Sequence, residues 1–299
     1  SVRVKSKPDE GSTFSFTLSF QKTNAQAGLE TETEGLTEEI KNAKILVVED
    51  IALNQLLMRT LLEDLGVECD IATNGKIAIE KLQADTYDII LMDLQMPEMN
   101  GFEATEYIRN KMNSKIPIIA LTADVTTSDL ARCKAVGMND YISKPVDERL
   151  LYNKIGGFLK KPLPAKNEAS GETENNRGRK TQSTNLQYLA ARTKSKPKLM
   201  SEMIALYLVQ TPSLVSSMNA SLKAEDWNEL QAIAHKMISS FAIMGISTEY
   251  EDLAKKIQQY AVSHQHIEAI HELVLKLTDI LTQACEELEE SRNWIKNTN

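Results

Sequence analysis

Residues 87–93, YDIILMD, set Ile89, Ile90, Leu91 and Met92 side by side with no polar alternation and then stop on a carboxylate, Asp93. A strand with one wet face alternates apolar and polar residues. An unbroken apolar run of this length reads instead as a strand buried on both faces, at the centre of a parallel sheet covered by helices. Four more such runs surround it: KILVVED (44–50), VECDIA (67–72), IPIIALTA (116–123) and DYISKP (140–145). Amphipathic stretches such as ALNQLLMRTLLEDL (52–65) and IAIEKLQAD (77–85) separate them. Strands alternating with helices predict an α/β domain with a five-stranded parallel sheet over residues 43–159.

Beyond residue 185 the strand signals stop. Trp227, Leu230, Ala234, Met237, Phe241 and Met244 recur at steps of three and four, as do Ile267, Ile270, Val274, Leu277 and Leu281, with Leu288 seven further on, each set lining one helix face. Asp226 followed by Glu229 is a capping pattern, and Thr248 with Glu251 can open another helix. Residues 185–292 therefore read as an all-α bundle of four or so antiparallel helices. Two aperiodic stretches rich in small and charged residues, 21–42 and 160–184, read as linkers. At about 25 residues, the second would span roughly 25–30 Å.

Composition narrows the function. The chain has 299 residues, 42% hydrophobic and 25% charged, in line with about two globular domains. A net charge of -8 disfavours nucleic acid, whose phosphates call for clustered Lys and Arg, and favours small cations. No apolar run approaches the ~20 residues that span a bilayer. Three separated cysteines without a CxxC pair fit reduced thiols and a cytoplasmic setting.

Ligands of open α/β sheets sit at the carboxyl ends of the strands. There the sequence places Glu49 and Asp50 after the first strand, Asp93 after the third, Thr122 at the end of the fourth and Lys144 after the fifth. Three carboxylates so close repel one another unless a divalent cation neutralises them, and a sparse all-oxygen set suits Mg²⁺. A cation beside Asp93 could hold a phosphoryl oxygen while the Asp93 carboxylate attacks phosphorus, with Lys144 and Thr122 stabilising the arriving charge. Any one of these residues alone would be an ordinary helix cap.

The segments ILVVED, DIILMDLQMPEMNGFEATEYIR, IIALTA and MNDYISKP resemble the response-regulator receiver domain over the whole of 43–159. The resemblance implies a flavodoxin-like fold, Asp93 as phosphoacceptor, and Mg²⁺ held by Glu49, Asp50, Asp93 and the Gln95 backbone carbonyl. It also implies a cis Lys144–Pro145 peptide, Thr122 and Tyr141 as the pair that moves on phosphorylation, and Gln95 and Asp124 as the positions that tune phosphate lifetime.

Of four histidines, His264, His266 and His271 lie in polar stretches, where a solvated role is expected. His235 follows Ala234 of the apolar seam and has Gln231, Ala232, Ser239 and Ala242 one turn away, so an open, exposed imidazole is expected. The segments LMSEMIALYLVQTPSLVSSM (199–218) and LQAIAHKMISSFAIMGI (230–246) resemble the histidine-containing phosphotransfer domain, HPt, across 185–290. That implies His235 as a phosphoryl carrier. Many members have Lys three residues after the histidine and Gly four after; here they are Ile238 and Ser239, with Lys236 adjacent, which suggests Lys236, Ile238 and Ser239 as a partly apolar docking patch.

At the N-terminus, VRVKS and GSTFSFTLSF alternate around a KPDEG turn, a hairpin with Phe14, Phe16, Leu18 and Phe20 on one side. PDEGSTFSFTLSF resembles the closing strand of a histidine-kinase ATP-binding domain, which makes residues 1–20 its remnant and the chain the C-terminal part of a bacterial hybrid sensor kinase. Expected partners are an upstream kinase dimerisation and phosphoacceptor domain and a downstream receiver, within a dimeric, membrane-associated parent whose domains here are cytoplasmic. The chain by itself is not expected to use ATP. The function so read is a phosphorelay between Asp93 and His235. Two other classes compete: a Mg²⁺-dependent phosphohydrolase of the haloacid-dehalogenase type, against which Gln95 stands where a second Asp is needed, and a non-catalytic docking scaffold.

Overall fold

In the computed structural model, residues 2–7, 11–16, 43–122, 127–159, 184, 186–264 and 266–298 are described. Asp124, Leu18, Phe20 and nearly all of both expected linkers lie outside them. The chain divides into two compact units, Ser1–Gly35 and Leu36–Asn299. In the first, β1 (Val2–Lys7) pairs antiparallel with β2 (Gly11–Phe16), Val2 opposite Phe16 and Lys7 opposite Gly11, so the expected hairpin forms.

The second unit opens with the α/β domain. Its strands are β3 (Lys44–Val48), β4 (Glu68–Ala72), β5 (Ile89–Asp93), β6 (Ile118–Thr122) and β7 (Asp140–Ser143). They lie in the order β4-β3-β5-β6-β7, all parallel. The connecting helices are α1 (Ala52–Asp64), α2 (Gly75–Ala84), α3 (Gly101–Asn110), α4 (Thr127–Val136) and, after β7, α5 (Glu148–Phe158). This is the flavodoxin-like order.

Strand residues divide between two apolar layers by their period of two. Leu46, Val48, Ile90, Met92, Ile118 and Ala120 face one layer, closed by Ala78, Phe102, Ala104 and Ile108 of α2 and α3. Ile45, Val47, Ile89, Leu91, Ile119 and Leu121 face the other, closed by Leu57, Met58 and Leu61 of α1 and by Leu151 and Ile155 of α5. The order reverses between β3 and β5, and the crevice at their carboxyl ends is the sheet's natural binding edge.

A short α6 (Leu186–Arg192) leads into four longer helices, α7 (Pro197–Lys223), α8 (Trp227–Met244), α9 (Thr248–Ser263) and α10 (Ile267–Thr298). The Asp226 carboxylate accepts from the Glu229 N–H at 3.0 Å and caps α8, whose other end is closed by Gly245 in the left-handed region at φ 67°. The predicted seams are buried, from Leu230 to Met244 and from Ile270 to Leu288; Ile267, expected in the second seam, is exposed at the first position of α10. The layer beneath α1 and the core of the bundle form one continuous apolar cluster. The α/β domain and the bundle thus pack against each other through α1, α7 and α8.

Candidate active site at the domain interface

β3, β5, β6 and β7 deliver Glu49, Asp93, Thr122 and Lys144 to one edge, because each residue ends or directly follows a parallel strand. Asp93 is 2% exposed and Glu49 fully buried. The Lys144 Nζ donates to Glu49 Oε2 and to Asp93 Oδ2, each at 2.7 Å. Glu49 Oε1 accepts from Asn54 Nδ2 at 2.9 Å and from the Ile51 N–H at 3.2 Å, so α1 orients it. The Gln95 N–H donates to Asp93 Oδ1 at 3.4 Å, and the peptide after Lys144 is cis, as expected.

Burial pushes all three carboxyls, Glu49, Asp50 and Asp93, above the ordinary carboxylate range, against the pull of Lys144 and Lys236. Burial also works against the Lys144 ammonium, but Asp93 and Glu49 outweigh it and hold the lysine charged. Three carboxyl groups face two ammonium groups at this edge, so a further cation is favoured there. Ligand oxygens of Glu49, Asp50 and Asp93 all lie within 4.8 Å of one another. A compact, all-oxygen donor set suits a hard cation, and this edge is a Mg²⁺ site.

Thr122 lies on β6 and Tyr141 on β7. Tyr141 pairs with Ala120, so Tyr141 and Thr122 share a face of the sheet. The half-buried Tyr141 ring has Lys154 Nζ 5.3 Å from its centroid.

The bundle completes the site. His235 on α8 lines a polar cavity of about 60 Å³ together with Asp93, Gln95, Thr122, Asp129 and Gln258. Lys236 Nζ is 3.2 Å from Asp50 Oδ2. Next to it, Ser239 and Ile243 of α8 meet Leu57 and Met58 of α1 and Val146 in a narrow apolar crevice. Ile238 is 5% exposed and belongs to the continuous apolar cluster.

The expectation of an open His235 is corrected: it is 8% exposed. The small Ala232 and Ser239 that suggested solvent access instead leave room for the strand ends of the α/β domain, which cover the imidazole. His264, His266 and His271 are exposed, as expected. Gln258, Asn54 and Asp129 were not legible as site residues. Gln258 comes from α9, and only the packing of α9 on α8 brings it beside His235; no spacing in the sequence encodes that.

The first domain, residues 45–156, matches the response regulator receiver domain, and residues 202–292 match the Hpt domain. Among curated proteins, the chain is 39% identical over 135 residues to the sensor protein GacS of Pseudomonas syringae pv. syringae, covering 42% of this chain and 15% of that one. It is 28% identical over 264 residues to the aerobic respiration control sensor protein ArcB of Escherichia coli K12, covering 86% of this chain and 32% of ArcB. The chain thus spans less than two thirds of the length of these relatives. The receiver domain of the sensor histidine kinase PA1611 from Pseudomonas aeruginosa, solved with a magnesium ion coordinated in its active site cleft, is 34% identical, covers 40% of this chain and 98% of its own, and has a TM-score of 0.37. Residues 45–156 are a response-regulator receiver domain and residues 202–292 an Hpt domain, a phosphorelay architecture that matches members of the hybrid histidine-kinase family.

Proposed function

We propose that Asp93 accepts a phosphoryl group from a phosphohistidine of an upstream kinase domain and that His235 exchanges it with Asp93 within the same chain before relaying it to a separate receiver. The observation that carries this reading is the shared polar cavity: Asp93 and His235 line the same space, about 60 Å³, with Thr122 and Gln258 as polar walls.

The chemistry follows from the residues. In the first step the Asp93 carboxylate attacks phosphorus, the bond to the donor imidazole breaks, and its electron pair returns to that ring. Lys144, held 2.7 Å from Asp93, screens the charge that arrives, and the Thr122 hydroxyl on the adjacent strand meets the phosphoryl oxygens. Glu49, Asp50, Asp93 and the Gln95 carbonyl would hold Mg²⁺, which when bound would withdraw charge from a phosphoryl oxygen. In the second step an imidazole nitrogen of His235 attacks the acyl phosphate. The nitrogen–phosphorus bond forms as the Asp93 oxygen–phosphorus bond breaks, and the carboxylate leaves with the electron pair, again paired to Lys144. The other ring nitrogen keeps its proton. Burial of His235 supports the step, since it keeps the imidazole facing the same enclosed space as Asp93.

Thr122 and Tyr141 act as the switch pair in this reading, Gln95 and Asp124 set phosphate lifetime, and Lys236, Ile238 and Ser239 contribute to docking. The relatives' architecture implies an upstream kinase and a downstream receiver as partners. A dimeric, membrane-associated parent with these domains on the cytoplasmic side belongs to the same proposal; among the described residues no helix is long and apolar enough to cross a membrane.

The test is labelling from a phosphorylated histidine-kinase domain with Mg²⁺. The parent chain should carry base-labile acyl phosphate and acid-labile phosphohistidine. Asp93→Asn should lose both labels, His235→Gln should keep only the acyl phosphate, and transfer from Asp93 to His235 should be independent of chain concentration. Undiminished labelling of Asp93→Asn, or a base-stable, acid-labile label surviving in His235→Gln, overturns the assignment. Steady release of phosphate from small esters would instead indicate the phosphohydrolase.

A further inference from the structure

The contact between the two domains has two polar ends and an apolar middle. At the phosphoryl-transfer end is Lys236 against Asp50; in the middle are Leu57, Met58, Ser239 and Ile243. The far end lies at the other terminus of α1, whose 13 residues extend about 20 Å at 1.5 Å per residue. There the turn between α6 and α7 meets the receiver. Lys194 Nζ lies 3.1 Å from Asp64 Oδ2 and 2.7 Å from Glu148 Oε1, and Lys196 Nζ lies 2.7 Å from Asp64 Oδ1. Arg192 Nη1 donates to the Val146 carbonyl at 3.3 Å.

This turn has an unusual backbone. Lys194 and Ser195 follow one another in the left-handed region, at φ 51° and 53°, which residues with a Cβ seldom adopt. The Ser195 N–H reaches back to the Ala190 carbonyl at 2.7 Å, and the tight reversal presents both lysines to one side. The three lysine ion pairs are made with Asp64 and Glu148, not with Glu49, Asp50 or Asp93, so the phosphoryl chemistry does not account for them.

We propose that the Arg192–Lys196 turn is a cis-docking clamp: by pairing with Asp64 and Glu148 it holds this chain's own receiver over His235, and it thereby sets how often His235 is open to a second receiver. The inference rests on the receiver–Hpt reading above. Because the same α8 face that carries His235 is covered by the tethered receiver, a receiver in trans reaches the histidine only when the cis contact opens. A tether raises the local concentration of the linked domain to the millimolar range, so a modest change in the clamp redistributes a large excess of the closed form. The four paired side chains are 23–48% exposed, which makes the clamp sensitive to salt while the apolar middle is not.

The experiment measures access to His235 directly, without phosphoryl transfer. The full chain is treated with diethyl pyrocarbonate at low salt, and carbethoxylation of the His235 peptide is quantified by mass spectrometry, with exposed His271 as internal reference. In the parent, His235 should react much more slowly than His271. The pair Lys194→Glu with Lys196→Glu, and separately Asp64→Lys with Glu148→Lys, should each speed modification of His235 about three- to tenfold, the size expected of several half-exposed ion pairs acting together. All four substitutions combined should restore protection, which loss of folding would not do. Raising salt to about 1 M should speed modification in the parent and slow it in the double variants, whose like charges it screens. Equal reactivity of His235 and His271 in the parent, unchanged protection in both double variants, or no restoration in the combined variant overturns the clamp. Failure of Asp93-to-His235 transfer in a chain whose protection behaves as expected would overturn the phosphorelay reading and leave the clamp standing.

Discussion

At the scale of single residues, the site depends on positions with no chemistry of their own. Gly101 opens α3 directly beside the end of β5: a Cβ built on it would sit 2.1 Å from the Asp93 carbonyl oxygen. Backbone cannot retreat from that approach without moving Asp93, so only glycine fits. Gly101→Ala is expected to destabilise the receiver by about 1–3 kcal/mol, the usual cost of overpacking, and to weaken Mg²⁺ binding as Asp93 shifts. Urea unfolding together with Mg²⁺ titration of the folded variant checks both; an unchanged midpoint would show that the strand end yields more easily than its contacts imply. Asn54 makes the complementary point. It reads as one polar residue in an amphipathic helix, yet it is 5% exposed and its amide holds Glu49 in place.

At the scale of elements, caps and anchors place the helices around the sheet. Asn100 and Glu103 form a reciprocal capping box at the start of α3, each side chain satisfying the other's backbone N–H at 3.0 Å. At the other end of α3, Arg109 donates to the carbonyls of Gly137, Ser114 and Ile116 and to Asn139 Oδ1, all within 2.9 Å. One planar guanidinium thus ties α3 to the loops that enter β6 and β7, and burial lowers its pKa. A lysine has neither the fork nor the number of donors to replace it. Arg109→Lys is expected to cost about 1–2 kcal/mol, since half-buried acceptors lose charge-assisted partners, with the Thr122 strand loosened more than the bundle. Hydrogen exchange resolved by segment checks this, and uniform protection across β6 and β7 would count against it.

At the scale of the molecule, the receiver and the Hpt bundle share one apolar cluster, and their polar contacts report on whether they are docked. Asp64 is the clearest reporter. Burial pushes its carboxyl up, but Lys196 and Lys194 together hold it below its ordinary value of 3.8. A carboxyl depressed in the docked form stabilises docking fully above its ordinary pKa, and that contribution is lost as pH falls from about 4 through the lowered value. Carboxylate NMR of the full chain should therefore show Asp64 titrating below 3.8, and Lys194→Ala with Lys196→Ala should move it upward. An Asp64 titration indifferent to both lysines would mean that the turn does not engage α1 in solution.

Much of this was legible in the chain itself. The unbroken run Ile89–Met92 decided a parallel sheet, because only a strand covered on both faces can lack polar alternation. The residues that end the strands, Glu49, Asp93, Thr122 and Lys144, had to meet at one edge, because parallel strands all finish on the same side. The steps of three and four in α8 likewise determined which face of that helix is buried in the bundle. What covers its flank was beyond their reach. Local periodicity reports which side of an element avoids water, and it is silent on whether a small-residue flank meets solvent or another domain. Only the tertiary structure decided that His235 is enclosed against Asp93, that Gln258 joins them from a third helix, and that a lysine-bearing turn at the far end of α1 holds the two domains together, because each depends on contacts between segments far apart in sequence.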